Sequence, residues 1–266
     1  MNAGIEKDEL HFEVRDSVAT IALNRPARRN ALSYALRSRI LECMGKIREQ
    51  PAIKAVVLTG NGGHFCSGGD IQGMQAALTA PQGRIRLLGA HHFITEMLNC
   101  ERPVIAAVDG VAYGAGMGLA LTADFIVASP RARFCSAFLR MGLVPDLGLM
   151  HTLPRLVGLQ RAKEIVFTGR EIDAREALAL GLVLEIAEDG DVLAHAQALG
   201  ARFAQASGPA LGMAKHGLNT SFESGLSAAL ATEAYAQGIA MSSPEHQDAV
   251  RRFLNKELPL YQWQKK

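Results

Sequence analysis

Two glycine-rich turns carry the residue types best suited to chemistry in this chain, and each follows a short apolar run. The first is Gly60-Asn61-Gly62-Gly63-His64-Phe65-Cys66-Ser67-Gly68-Gly69-Asp70, after Ala55-Val56-Val57-Leu58-Thr59. The second is Asp109-Gly110-Val111-Ala112-Tyr113-Gly114-Ala115-Gly116-Met117-Gly118, after Val104-Ile105-Ala106-Ala107-Val108. Glycine lets a backbone approach a ligand closely and present its N–H groups. Two such turns can aim two N–H groups at one oxygen, which stabilises negative charge developing on a carbonyl. A helix opening at the second turn adds a field that favours an anion.

Other uses of glycine turns do not fit. Neither turn ends in the Gly-Lys-Ser/Thr of a phosphate-binding loop. Gly114-Ala115-Gly116-Met117-Gly118 closes one residue short of the dinucleotide fingerprint. Phe65 stands where a serine-hydrolase elbow needs its first glycine, so Ser67 offers its backbone N–H rather than its hydroxyl.

The elements that must position these turns alternate. Leu10 to Val14 and Val18 to Leu23 read as strands joined at Arg15-Asp16-Ser17. Ser33 caps a helix through about Arg48, with Leu36, Ile40, Cys43, Met44 and Ile47 at helical spacing. Strands at 55–59, 104–108 and 125–128 alternate with helices at 84–100 and 114–123, and residues 71–82 read as irregular. The pattern favours an α/β core. A helix over 174–180 and a short strand over 183–186 follow, then helices over 190–206, 208–219, 222–241 and 244–255. The expected division is a core over 1–200 and a helical region over 201–266, packed on the core or on another subunit.

The 266 residues carry a net charge of +2 with dispersed Lys and Arg, which is not the basic face of a nucleic-acid binder. No apolar run is long enough to span a bilayer, and the polar stretch Met1 to Glu9 is not a secretory signal. The four cysteines form no CxxC pair, so neither a metal site nor a disulfide framework is expected, and a cytoplasmic setting fits.

Several motifs in order resemble the crotonase family of enoyl-CoA hydratases and isomerases. They are Leu23-Asn24-Arg25-Pro26 with Asn30-Ala31-Leu32, Phe65-Cys66-Ser67-Gly68-Gly69-Asp70-Ile71, and Pro103 to Gly110 with Gly114-Ala115-Gly116. Gly142-Leu143-Val144-Pro145-Asp146, Leu153 to Gly158 and Ala174 to Val183 continue the match, which spans about residues 10 to 258. The resemblance implies a spiral of ββα units followed by helices that trimerise, as a homotrimer or a dimer of trimers. It implies an acyl-CoA thioester as substrate, with coenzyme A entering as part of that substrate and no tightly bound cofactor. It implies that the N–H groups of Ser67 and Ala115 hold the thioester oxygen. Gly68 with Asp70-Ile71 would line the coenzyme A site, Arg29 its adenine side, and Lys256 its phosphates.

The family's hydratases use two glutamates to position and deprotonate water, and here Gly118 and Phe138 stand in their places. Between Arg102 and Lys163 the acids are Asp109, Asp124 and Asp146. Asp109 and Asp124 sit at strand and helix ends and read as turn residues. Asp146 lies among Leu143, Val144, Pro145 and Leu147, surroundings that raise a carboxyl pKa toward that of a useful base. Its other reading is an N-cap for a helix from Leu147. By resemblance, isomerase branches carry their acting aspartate here, and Arg133 to Asp146 looks most like the phenylacetate-pathway ring-epoxide and enoyl-CoA isomerases. The expectation is an acyl-CoA isomerase that moves a double bond or opens a ring epoxide, with Asp146 as the proton shuttle. The alternatives are an enoyl-CoA hydratase and a non-catalytic acyl-CoA-binding protein. His91-His92 and Cys66 are weaker candidates, and Met74, Leu87, Leu88, Met117 and Phe138 read as pocket wall or core.

Overall fold

The computed structural model describes residues 9–70 and 78–263. Strands β1 (Leu10–Arg15) and β2 (Val18–Leu23) form an antiparallel hairpin. Asp16 and Ser17 turn it with φ of 48° and 67°, the left-handed pair that matches strand twist in a two-residue loop. Helix α1 (Tyr34–Arg48) opens on the Ser33 hydroxyl, which accepts from the Leu36 N–H at 3.0 Å. Its buried stripe is Leu36, Ile40, Cys43, Met44 and Ile47. Then come β3 (Ala55–Gly60), α2 (Ala80–Leu98), β4 (Val104–Val108), β5 (Val111–Tyr113), α3 (Ala115–Ala120), β6 (Phe125–Ala128) and β7 (Arg133–Cys135). A 3-10 turn over Ala137–Met141 leads to α4 (Leu149–Val157) and α5 (Leu159–Thr168). They are followed by β8 (Glu171–Asp173), α6 (Ala174–Ala179), β9 (Glu185–Ile186) and α7 (Val192–Ala201).

A six-stranded sheet runs β1-β2-β3-β4-β6-β9, parallel from β2 onward. Strands β2 and β4 are buried throughout, and β3 is buried up to its last residue, as a parallel sheet covered on both faces requires. Helix α7 covers one face, where Val192, Ala196 and Leu199 meet Val18, Val57 and Ile105. Helices α1 and α2 contribute to the core of the other. A second sheet, β5-β7-β8, is built from the chain leaving the first. Strand β4 hands over to β5 and β6 to β7, and after β3 Cys66 forms a parallel bridge with Ala112. The chain therefore climbs as successive strand–strand–helix turns, and both glycine-rich turns lie where it crosses between sheets.

The helical C-terminal region holds α8 (Gly208–Thr220), α9 (Leu226–Met241) and α10 (Pro244–Leu254). Helix α9 buries none of its residues, and Leu226, Tyr235 and Ile239 are all more than half exposed. Observed boundaries depart from the expected ones at few points. Helix α2 begins at Ala80, where Thr79 and Gln82 form a capping box, four residues earlier than the periodicity indicates. The expected start of a helix at 222 is taken by a turn, and α9 begins only after Gly225. The three-residue strands β5, β7 and β8 are additions. Part of the expected irregular segment, with Ile71 and Met74, lies outside the described residues.

Candidate active site

The first turn is held by a buried asparagine. Asn30 accepts from the Arg25 N–H at 2.8 Å, and its amide donates to the carbonyls of Asn61 at 2.9 Å and His64 at 2.6 Å. Gly60 accommodates this clip, since a Cβ there would lie 2.1 Å from the His64 carbonyl oxygen. Further along, the Leu32 N–H donates to the Gly68 carbonyl at 2.8 Å and the Asp70 N–H to the Leu32 carbonyl at 3.3 Å. Asp70 also pairs with Arg25 at 2.9 Å. These bonds fix the carbonyl of Gly68 and the amide of Asp70, leaving the Gly69 amide directed away from Leu32.

The second turn abuts the first. The Cys66 N–H donates to the Val111 carbonyl at 2.9 Å and the Tyr113 N–H to the Cys66 carbonyl at 3.0 Å. A Cβ on Gly116 would lie 2.1 Å from the Cys66 carbonyl oxygen. Gly68, at φ 117°, packs against the Tyr113 carbonyl oxygen, with the Ala115 nitrogen 3.9 Å from its Cβ position. Ala115 is the first residue of α3, where an amide has no acceptor within the helix.

The Ser67 assignment needs correction at this point. The Ser67 N–H donates to the Arg29 carbonyl at 2.9 Å, so that amide is occupied. Among the described residues no acceptor meets the N–H of Gly69 or of Ala115. The free pair in the abutting turns is Gly69 and Ala115. The side-chain alphabet of the first turn conceals this, because register against Leu32 decides which amides are spent.

Of the three candidate acids, two are structural. Asp109 accepts from the Ser129 hydroxyl at 2.6 Å, the Gly110 N–H at 3.0 Å and Arg131, and burial acts against these bonds without preventing a net fall in its pKa. Asp124 accepts from the Val104 N–H and from Lys215, both at 2.7 Å. Asp146 differs from both. Its Oδ1 is buried without a hydrogen-bond partner, and burial pushes its pKa up against the pull of Arg37 and Arg86. The cap reading fails, since Gly148 occupies the N-cap of α4 and no side chain caps that helix.

Asp146 lines a cavity of about 460 Å³ with Leu87, Ala90, His91, Ile94 and Val144. Its carbonyl oxygen lies 3.3 Å from the Cβ position of Gly118, in the first turn of α3 beyond Ala115. Phe138 is buried, and its ring tip is 4.0 Å from the Cβ position of Gly114. An aliphatic and aromatic wall thus stands between the amide turns and Asp146, with no glutamate among these lining residues. Arg29 sits exposed at φ 46° beside Ser67, and Lys256 stands exposed just past α10. Lys256 makes no side-chain hydrogen bond or ion pair among the described residues. Cys66 is fully buried and its thiol is pushed up to about 11 by burial, which leaves it a packing residue. Sequence reasoning missed Arg37 and Arg86, and the available signal was Tyr34 with Arg37 one turn apart on α1.

A climbing series of strand–strand–helix turns with two amide turns at its crossing point defines the crotonase class. A family model described as enoyl-CoA hydratase/isomerase matches residues 13–265, and the chain belongs to that family. The 1,2-epoxyphenylacetyl-CoA isomerase of Escherichia coli is 31% identical over 93% of this chain and 96% of its own length. The short-chain-enoyl-CoA hydratase of Clostridium acetobutylicum is 33% identical over 95% and 97%. Among solved structures, an enoyl-CoA hydratase/isomerase from Cupriavidus metallidurans superposes with a TM-score of 0.91 at 40% identity, covering 97% of this chain and 98% of that one.

Proposed function

We propose that this enzyme isomerises acyl-CoA thioesters by proton transfer next to the thioester carbonyl. The N–H groups of Gly69 and Ala115 receive the carbonyl oxygen. As a proton leaves C2, charge moves onto that oxygen, and each fixed donor contributes about 10²–10³ in rate. Asp146 takes the proton and returns it to C4, so that the double bond moves by one position. The observation that carries this reading is the unpartnered Oδ1 of Asp146 in an apolar cavity beside α3. A carboxylate without competing hydrogen bonds is a stronger base than one held by amides.

One base suffices for such a shuttle, whereas adding water across a double bond needs a second group to orient the water. Gly118 and Phe138 supply no such group. Hydration remains the second reading, supported by relatives such as the Clostridium acetobutylicum hydratase. Incubation with a 3-enoyl-CoA and with crotonyl-CoA separates the two. Double-bond migration without hydration is expected, and fast hydration without migration overturns the proposal.

The same reading places coenzyme A along the first turn near Arg29 and Gly68, and Lys256 near its phosphates. It also has the exposed face of α9 buried in a homotrimer or dimer of trimers in the cytoplasm. The support is that α9 buries nothing in the single chain.

A further inference from the structure

Two guanidinium groups and one aromatic ring stand together at the Asp146 cavity, and the proton shuttle uses none of them. Arg37 lies over the Tyr34 ring at 4.3 Å, and Arg86 of α2 approaches the same ring at 5.5 Å. Helices α1 and α2 are thereby joined through one tyrosine. Arg37 and Arg86 are also the charged groups that act on Asp146. The Nε of Arg37 is buried with no hydrogen-bond partner, and Arg37 forms no ion pair among the described residues.

The charge balance is uneven. Ionised Asp146 offsets one of the two cations and leaves one positive charge at a half-buried site. A guanidinium presents donors in a rigid fork that matches a carboxylate. Stacking on Tyr34 fixes the Arg37 fork in place, so little side-chain freedom is lost when an anion arrives.

We propose that Arg37, held on Tyr34 beside Arg86, is a specificity-determining residue that receives a second carboxylate at the far end of the acyl group. The substrate class is then the CoA thioester of a dicarboxylic acid. This rests on the assignment of the Asp146 cavity to the acyl group. The carboxylate lies beyond the carbons between which the proton moves, so the subsite selects the substrate without taking part in the transfer.

The test is binding, which needs no turnover. Calorimetric affinities of the full chain for adipoyl-CoA and hexanoyl-CoA compare acyl groups of equal length that differ in a terminal carboxylate. Adipoyl-CoA is expected to bind about tenfold tighter or more. In Arg37→Leu the ratio is expected to fall to about one, with coenzyme A alone reporting that the site is intact. If that variant does not bind coenzyme A, Arg37→Gln, which keeps side-chain length and polarity, carries the same reading. Equal affinities in the unaltered protein, or a preference that survives loss of Arg37, overturn the proposal. A preserved binding preference without double-bond migration instead overturns the isomerase reading and leaves the subsite standing.

Discussion

Gly118 and Leu147 meet with no room for a side chain at the first. A Cβ on Gly118 would lie 3.1 Å from the Leu147 Cβ and 3.3 Å from the Leu147 carbonyl oxygen. Leu147 holds φ at 50°, a left-handed conformation that costs a bulky residue about 1–3 kcal/mol. The missing hydratase glutamate and the strained leucine next to Asp146 are thus one packing solution. Gly118→Ala is expected to destabilise by about 1–3 kcal/mol through overpacking. Gly118→Glu is expected to displace the turn that carries Asp146, lowering isomerisation without creating hydration. Denaturant melts, together with crotonyl-CoA and 3-enoyl-CoA assays, check both, and a hydrating Gly118→Glu enzyme would contradict the packing argument.

Asp146→Asn keeps the shape of the side chain and removes the base. Turnover is expected to fall by about 10²–10⁴-fold while acyl-CoA binding persists. Stability should move the other way. Burial raises the carboxyl pKa in the fold, so the folded state binds the proton more tightly than the unfolded chain. Ionised Asp146 therefore costs stability at neutral pH, and the cost disappears as pH falls below the ordinary carboxylate range. The Asn variant should melt higher than the parent at neutral pH, with the gap closing in acid. Thermal melts across pH read this directly, and a lower melting temperature at neutral pH refutes it.

The same raised pKa shapes the rate profile. A base must be ionised to act, so kcat/KM should fall on the acid side through a pKa above that of an ordinary aspartate. Arg37 and Arg86 hold that pKa down against burial. Removing the Arg37 charge should shift the acid limb to higher pH. A limb unmoved by Arg37→Gln would show that Arg37 does not act on the base.

Long apolar runs such as 104–108 and capped periodic stretches such as 34–48 made the large sheet and its helices legible. Each carries many residues that agree on one period, and local preference and packing coincide. The small sheet was not legible, because β5, β7 and β8 have three residues each and pair only once the spiral has formed. Asp146 was found from its apolar neighbours. The free amide at Gly69 was not, since Ser67 and Gly69 differ only in which one faces a carbonyl, and Arg29 supplies that carbonyl from 38 positions away in sequence from Ser67. Arg37 was missed for a similar reason, because its tie to Arg86 runs through Tyr34 between two helices.

Helix α9 presents Leu226, Leu230, Tyr235 and Ile239 to solvent, and a cleft of about 850 Å³ opens between α8, α9 and α10. An apolar face of that extent on a single chain marks an interface. Light scattering is expected to report a trimer or its dimer, and Tyr235→Glu with Ile239→Glu to yield smaller species. A monomeric parent protein would remove the oligomer from the proposal.

Ala115 allows a test of the amide itself. It occupies the first position of α3, where proline is tolerated because the N–H there has no partner within the helix. The preceding residue is Gly114, whose φ of 50° lies outside the helical region that proline disfavours before it. Ala115→Pro therefore deletes the proposed oxyanion donor with little change to the local backbone. If the Ala115 N–H stabilises charge on the thioester oxygen, kcat should fall by about 10²–10³-fold. Affinity for a saturated acyl-CoA should change far less, because a ground-state carbonyl carries little of that charge. Matched losses in binding and turnover would mean that this amide positions the substrate rather than stabilising the enolate.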